Sequence, residues 1–285
     1  VVSGESFGTA TIVSSNASTY DQIQGDIPQR WKYTDNSLKG LVIGTSCTII
    51  SYQAFQLCAG LTGSLAIPDS VTAIENYAFR GCAGLTGSLT IPNSVTTIGG
   101  YAFRDCNFSN LNIGNGFGNT FDDNTFYGTQ FSEITVDSQN PYLKTDVNNS
   151  LLFSHDLSIL WSFAKNTTHG DVVIPNSVIE IGAQYDMFQT SLSITSIVFS
   201  ENITGNLPDF YGCTNLAGTI TIPAGITRIN NFTNSQISGL MSMPAGVTYI
   251  QYSAFKNCSN IERFEIHATT APSYIGGEAF LNTSP

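Results

Sequence analysis

Six cysteines, three histidines and a thin scatter of carboxylates are the groups of widest chemical reach in this 285-residue chain. Thiolates bind zinc or attack electrophiles, imidazole moves protons, and paired carboxylates cleave glycosidic bonds or hold calcium. Five of the cysteines, Cys58, Cys82, Cys106, Cys213 and Cys258, follow a phenylalanine by three residues. A thiol recurring in one slot reads as a small buried hydrophobe. Parallel stacked side chains suit disulfide geometry poorly, so free buried thiols are expected, with bridges as the alternative in an exported protein. No C-x-x-C pair exists and no histidine shares the slot, so neither zinc nor any cofactor is expected. His155, His169 and His267 have no nucleophile motif beside them and read as surface or loop groups. Asp122-Asp123, the tightest acidic pair, sits among Asn119, Asn124 and glycines, which suits a turn or, as the alternative, a calcium site. Asp69-Ser70-Val71 matches a short acceptor pattern for O-glycosylation.

Tyrosines offer a different chemistry, apolar area with a polar tip. Tyr77 and Tyr101 share one slot, and Tyr52 and Tyr252 share the adjacent one. Two uses are open for them: an outer ridge that holds a protein or glycan, or packing against the next coil. Ser88 and Thr90 complete the candidate binding residues, because they alternate with apolar neighbours on a strand and face outward.

The elements that position these residues are repeats. IPDSVTAIENYAFRGC from Ile67 returns as IPNSVTTIGGYAFRDC from Ile91, 24 residues later. Such a period means stacked coils rather than one globular core. Ser88-Leu89-Thr90-Ile91 alternates polar and apolar, as a strand with one buried face does, and the following proline ends it. Val95 and Ile98 continue the apolar side, and Tyr101 to Cys106 is expected to form a single helical turn. Cys47 takes a slot that is valine in the next copies. Stacking at about 4.8 Å would place Phe55, Phe79, Phe103, Phe126, Phe188, Phe210, Phe255 and Phe280 in one aromatic column.

The spacing I-P-x-x-V-x-x-I-x-x-x-A-F-x-x-C-x-x-L resembles the BspA-like, or Treponema-type, leucine-rich repeats, over roughly residues 41–285. Asn140-Pro141-Tyr142, Ser150 to Ser154 and Leu160-Trp161 look like the longer, hairpin-bearing repeat of such proteins, here residues 136–173. The fold expected is a β-rich (α/β-type) solenoid, a leucine-rich-repeat superhelix of about eight coils of 21–25 residues. Residues 1–40 lack the repeat; Phe7, Thr9, Thr11 and Val13 suggest a strand or hairpin, and Trp31 and Tyr33 a cover for the first coil. The resemblance implies an exported bacterial surface protein, adhesin-like and non-enzymatic.

Composition limits the partners. Charged residues are only 11% and the net charge is −11, which disfavours nucleic acid and anionic membrane surfaces. Ten basic residues are scattered, with only Arg80 and Arg104 sharing a column. No apolar run is long enough to span a bilayer. Val1 is not a natural start, so a removed export segment, with or without a lipid anchor, is expected. The reading is a monomeric, extracellular binding protein for a protein or glycan. Its alternatives are a structural spacer and, third, a polysaccharide-active enzyme of parallel β-helix type.

Overall fold

A computed structural model describes residues 10–12, 40–45, 47–118, 124–148, 150–182, 187–267 and 271–283. Of residues 10–12 the backbone alone is described. The fold is a β-solenoid of about nine turns, and no helix occurs among the described residues. The chain divides into two compact units, Val1–Thr145 and Asp146–Pro285.

In the first unit, the coils contribute short strands to two parallel three-stranded sheets, and the coil holding Ser88–Ile91 and Thr97–Ile98 contributes to both. Ser88–Ile91, Asn110–Ile113 and Glu133–Val136 form one, with Leu89, Leu111 and Ile134 in register and buried. Ile49–Ile50, Ala73–Ile74 and Thr97–Ile98 form the other. Period-2 alternation explains the first: Leu89 and Ile91 point in while Ser88 and Thr90 stay exposed. Ala10–Ile12 pairs in parallel with Leu41–Ile43, so the N-terminal segment does supply a strand, without hairpin pairing to that neighbour. Phe7, Thr9, Val13, Trp31 and Tyr33 lie outside the described residues.

The long repeat keeps its expected devices. In the first unit, the buried Asn140 amide donates to the carbonyls of Gly114 and Phe117 (2.7 and 2.8 Å) and accepts from the N–H groups of Tyr142 and Leu143. In the second unit, Leu151–Ser154 and Ile159–Phe163 make the antiparallel hairpin. Asp156 Oδ1 closes its turn by accepting from Ser154 Oγ, Ser158 N and Ser158 Oγ. The rest of this unit is parallel: Thr204–Asn206, Gly225–Ile229, Tyr249–Ile250 and Tyr274–Ile275 in one sheet, and Gly239–Met243 with Ile261–Ile266 in another.

The expected helical turn does not form. Gln53, Leu57, Tyr77, Tyr101, Asp105, Ser253 and Asn257 have φ between 57° and 61°, which breaks a right-handed helix twice within five residues. The backbone instead alternates local and inter-coil bonds. Ala54, Gln56 and Cys58 donate three residues back. Gln53, Phe55 and Leu57 donate to the carbonyls of Asn76, Ala78 and Arg80 in the next coil. A helix would direct every N–H along its own axis; this arrangement converts half of them into a ladder between coils.

Phenylalanine stacks inside each unit. Phe55, Phe79, Phe103 and Phe126 follow at 5.1, 5.4 and 5.8 Å with nearly parallel rings. In the second unit the row is Phe163, Phe188, Phe210, Phe232, Phe255 and Phe280, at centroid separations of 5.0–5.9 Å. Phe163 and Phe232 are additions to the sequence-based column. Phe232 was hidden by a shortened repeat, and Phe163 by the hairpin.

Candidate functional site

All six cysteines are buried free thiols. The slot shared by five of them has a second job besides filling space. Cys82 Sγ donates to the Phe55 carbonyl (3.0 Å), Cys106 Sγ to Phe79, Cys213 Sγ to Phe188 and Cys258 Sγ to Phe232. In the Phe126 coil, where threonine stands in the slot, a hydroxyl takes over: Thr129 Oγ1 donates to the Phe103 carbonyl at 2.7 Å. Burial pushes the Cys106 and Cys213 thiols up to about 12, and Cys82 well above the usual thiol range. These groups stay protonated at neutral pH and are poor nucleophiles or ligands.

The other polar candidates are dispersed. No group of three potential metal ligands occurs among the described residues, and Asp122-Asp123 with Asn119 lies outside them. Ser70, the glycosylation candidate, donates its hydroxyl to the Cys47 carbonyl (2.7 Å) and is half-buried. Sequence reasoning missed one juxtaposition: His267 Nε2 lies 3.0 Å from Ser242 Oγ, with Glu265 Oε2 3.7 Å from the same nitrogen. A catalytic serine dyad needs its acid on the other ring nitrogen to fix the tautomer. Here the carboxylate and the serine compete for one nitrogen on an exposed strand. Sequence spacing of 25 residues, one coil, was the available signal.

On the exposed strand face, Thr90, Asn112 and Thr135 stand in register. Asn112 Nδ2 donates to Thr90 Oγ1 (3.3 Å), and Thr135 Oγ1 donates to Asn112 Oδ1 (2.7 Å). Ser88 is exposed beside them. These polar groups are largely spent on one another.

The turn side of the first unit is different. Its left-handed residues turn the tyrosines outward, where the stacked turns align them. Tyr77 and Tyr101 are stacked face to face, 5.3 Å apart and 10° from parallel, and Tyr52 meets Tyr77 edge-on at 6.0 Å. The rings of Tyr77 and Tyr101 thus pack coil on coil, while Tyr52 stays exposed. Arginines interleave. The Arg80 guanidinium lies 5.6 Å from the Tyr77 ring centre, and that of Arg104 lies 5.3 Å from Tyr101 and 4.4 Å from Tyr127. Arg104 Nε also donates to Asp105 (3.0 Å). Tyr252, in the second unit, is exposed on the equivalent turn, but its ring lies against Gly277. A second cation–ring stack there, Arg228 over Tyr249 (4.0 Å) and Tyr249 on Tyr274 (4.5 Å), was not foreseen.

The family model "BspA type Leucine rich repeat region" matches in six copies over residues 48–155 and 186–285. No curated protein sequence matches the chain. Among solved structures, a leucine-rich repeat protein of Eubacterium ventriosum is 17% identical, with TM-score 0.60 over 99% of this chain and 92% of its own. A leucine-rich cell surface protein of Faecalibacterium prausnitzii is 23% identical, with TM-score 0.57 over 89% and 78%. The pneumococcal vaccine antigen PcpA is 18% identical, with TM-score 0.54 over 80% of this chain and 51% of its own. At these identities the likeness shows a shared fold.

Proposed function

This chain belongs to the BspA-type leucine-rich repeat family, and from that premise we propose an exported, non-catalytic binding protein whose partner is a protein held on the tyrosine–arginine turn ridge. The observation that carries the reading is the aligned ridge itself: Tyr52, Tyr77 and Tyr101 with Arg80 and Arg104 on successive coils. Tyrosine and arginine are the residues that most often anchor protein interfaces, because each joins large apolar contact to directional hydrogen bonding. A sugar would need free ring faces to stack on. On this ridge the faces of Tyr77 and Tyr101 are taken by one another and by guanidiniums, which leaves phenol edges and hydroxyls for a partner.

A surface location agrees with the low charge and with the Faecalibacterium neighbour, described as a cell surface protein. Among the described residues no helix is long and apolar enough to cross a membrane. An array of purified extracellular proteins probed with the chain and with a Y77F/Y101F double variant tests the reading. The rings and their stacking are preserved in the variant, so a captured protein should lose about tenfold in affinity through the missing hydroxyls alone. Equal capture by both forms would remove the ridge from the interface, and a chain that captures nothing would favour the structural spacer.

A further inference from the structure

We propose that Tyr249 and Tyr274 are an oxidative modification site, at which a haem peroxidase with hydrogen peroxide joins the two rings into a dityrosine bridge between neighbouring coils. The site lies in the second unit and does not depend on the binding reading. Tyr249–Ile250 and Tyr274–Ile275 are neighbouring parallel strands, with Tyr249 opposite Tyr274. Their register is fixed on both sides of the pair: the Tyr274 N–H donates to the Thr248 carbonyl (3.3 Å) and the Gly276 N–H to that of Ile250 (2.8 Å). The rings lie 4.5 Å apart and 18° from parallel, closer than Tyr77 to Tyr101 at 5.3 Å or Tyr52 to Tyr77 at 6.0 Å. From the coil on the other side, the Arg228 guanidinium lies 4.0 Å from the centre of the Tyr249 ring. Its Nε donates to Asn230 Oδ1 (2.9 Å), and the buried Asn230 amide donates in turn to the Leu207 carbonyl (2.6 Å). Tyr249 is thereby held in place, while Tyr274 is 43% exposed and open to an oxidant.

The reaction removes two electrons. Each phenol gives one electron and its proton to the peroxidase, which leaves a phenoxyl radical with spin on the Cε carbons. A carbon–carbon bond then forms between Cε of Tyr249 and Cε of Tyr274. The hydrogens on those two carbons move to the oxygens and restore both phenols. Hydrogen peroxide takes up the two electrons and two protons and becomes two waters. Rings already stacked by the sheet need no diffusional encounter, so coupling within the chain outruns coupling between chains. The bridge has a structural use at this place. Ile229 and Ile250 are buried, but Ile275, next in the same row, is 48% exposed. Tyr274–Ile275 is also only two residues long, and so short a strand does not persist alone. Joining its tyrosine to the preceding coil holds the strand where apolar cover is thin.

The test treats the dilute full chain with a haem peroxidase and hydrogen peroxide, then digests it with trypsin under denaturing conditions. Cleavage after Arg228, Lys256 and Arg263 separates the two tyrosines, so a bridge joins residues 229–256 to residues 264–285. The joined peptides should come from monomeric protein, carry dityrosine fluorescence and weigh two hydrogen atoms less than their sum. Tyr249→Phe and Tyr274→Phe keep the stacked rings, and each should lower the yield about tenfold. Tyr252→Phe, which removes the other tyrosine of the first peptide, and Y77F/Y101F should leave the yield unchanged. Hydrogen exchange at the Gly276 N–H should slow about tenfold in the bridged chain. A bridged peptide that survives Tyr249→Phe, a link found only in dimers, or no link under conditions that couple N-acetyltyrosine overturns the site. Unchanged exchange at Gly276 overturns its stapling role.

Discussion

The carbonyls of Phe55, Phe79, Phe188 and Phe232 each accept two hydrogen bonds, one from the N–H three residues on and one from a thiol of the following coil. The Phe55 oxygen takes the local N–H of Cys58 and the thiol of Cys82 from the following coil. That second bond explains why the slot holds Cys82, Cys106 or Thr129 and not alanine or valine. All three are small, and all carry a hydrogen to give. Cys82→Thr and Cys82→Val have nearly the same shape and differ in the donor. The valine variant should therefore be less stable by about 1 kcal/mol in urea unfolding, and equal midpoints would show the thiol to be only filler. The thiols also set a pH dependence. Their folded values, about 12 at Cys106 and Cys213, lie above the ordinary 9.0, so the unfolded chain releases these protons first. Stability linked to them is complete below pH 9 and is lost as pH climbs from there toward 12. A denaturant series across that range should show the decline, and it should shrink in a C106T/C213T variant. Asp156 acts in the opposite sense. Its exposed carboxylate is held at about 2 by the hydroxyls of Ser154 and Ser158 and the Ser158 N–H, so its support of the hairpin turn fades as pH falls below the ordinary 3.8.

Turns, rather than strands, hold most of the ordering at the level of the element. The strands are two to six residues long, and the two-residue pieces Ala73–Ile74 and Thr97–Ile98 could not persist alone. What fixes them is the buried ring row and the alternating turn ladder beside it. Phe79 is wholly buried between Phe55 and Phe103. Phe79→Ala should cost about 3–5 kcal/mol, read from chemical unfolding, and a loss below about 1 kcal/mol would contradict the stacking. The strands, the phenylalanine slots and the hairpin of the long repeat were legible because each has a period or motif. The Tyr101 to Cys106 turn was misjudged because left-handed backbone at Tyr77 or Tyr101 leaves no trace in residue type; glycine would have announced it, tyrosine does not. The pairing of Ser242 with His267 and the Arg228–Tyr249–Tyr274 stack escaped for another reason. Ser242 keeps the slot of Thr90 and Thr221, but His267, Arg228, Tyr249 and Tyr274 follow no repeated pattern of residue type, so only the inter-coil register brings them together.

Stacked coils spread their exposed side chains over several faces, so function at the scale of the molecule becomes a choice between faces. Ser88 and Thr90 were the sequence-based candidates on the strand face, and both are exposed as expected. The adjoining hydroxyls and amides nevertheless satisfy one another along Thr90, Asn112 and Thr135, so a partner there would have to break existing bonds to make new ones. The turn ridge of the first unit carries the opposite balance. Its rings are already ordered by stacking, which lowers the entropy lost on binding, while Tyr52 remains exposed. The two faces can be separated by substitutions that leave the core untouched. Ser88→Lys and Thr90→Lys put bulk and charge on exposed strand positions and should change stability by no more than about 0.5 kcal/mol. If the ridge is the interface, this pair should leave capture of a partner within about twofold of the parent, while Y77F/Y101F weakens it about tenfold. Calorimetric titration of both variants against one captured protein decides between them. Loss with the lysine pair and retention with the phenylalanine pair would move the interface to the strand face, where the alternating Ser88 and Thr90 would then carry it.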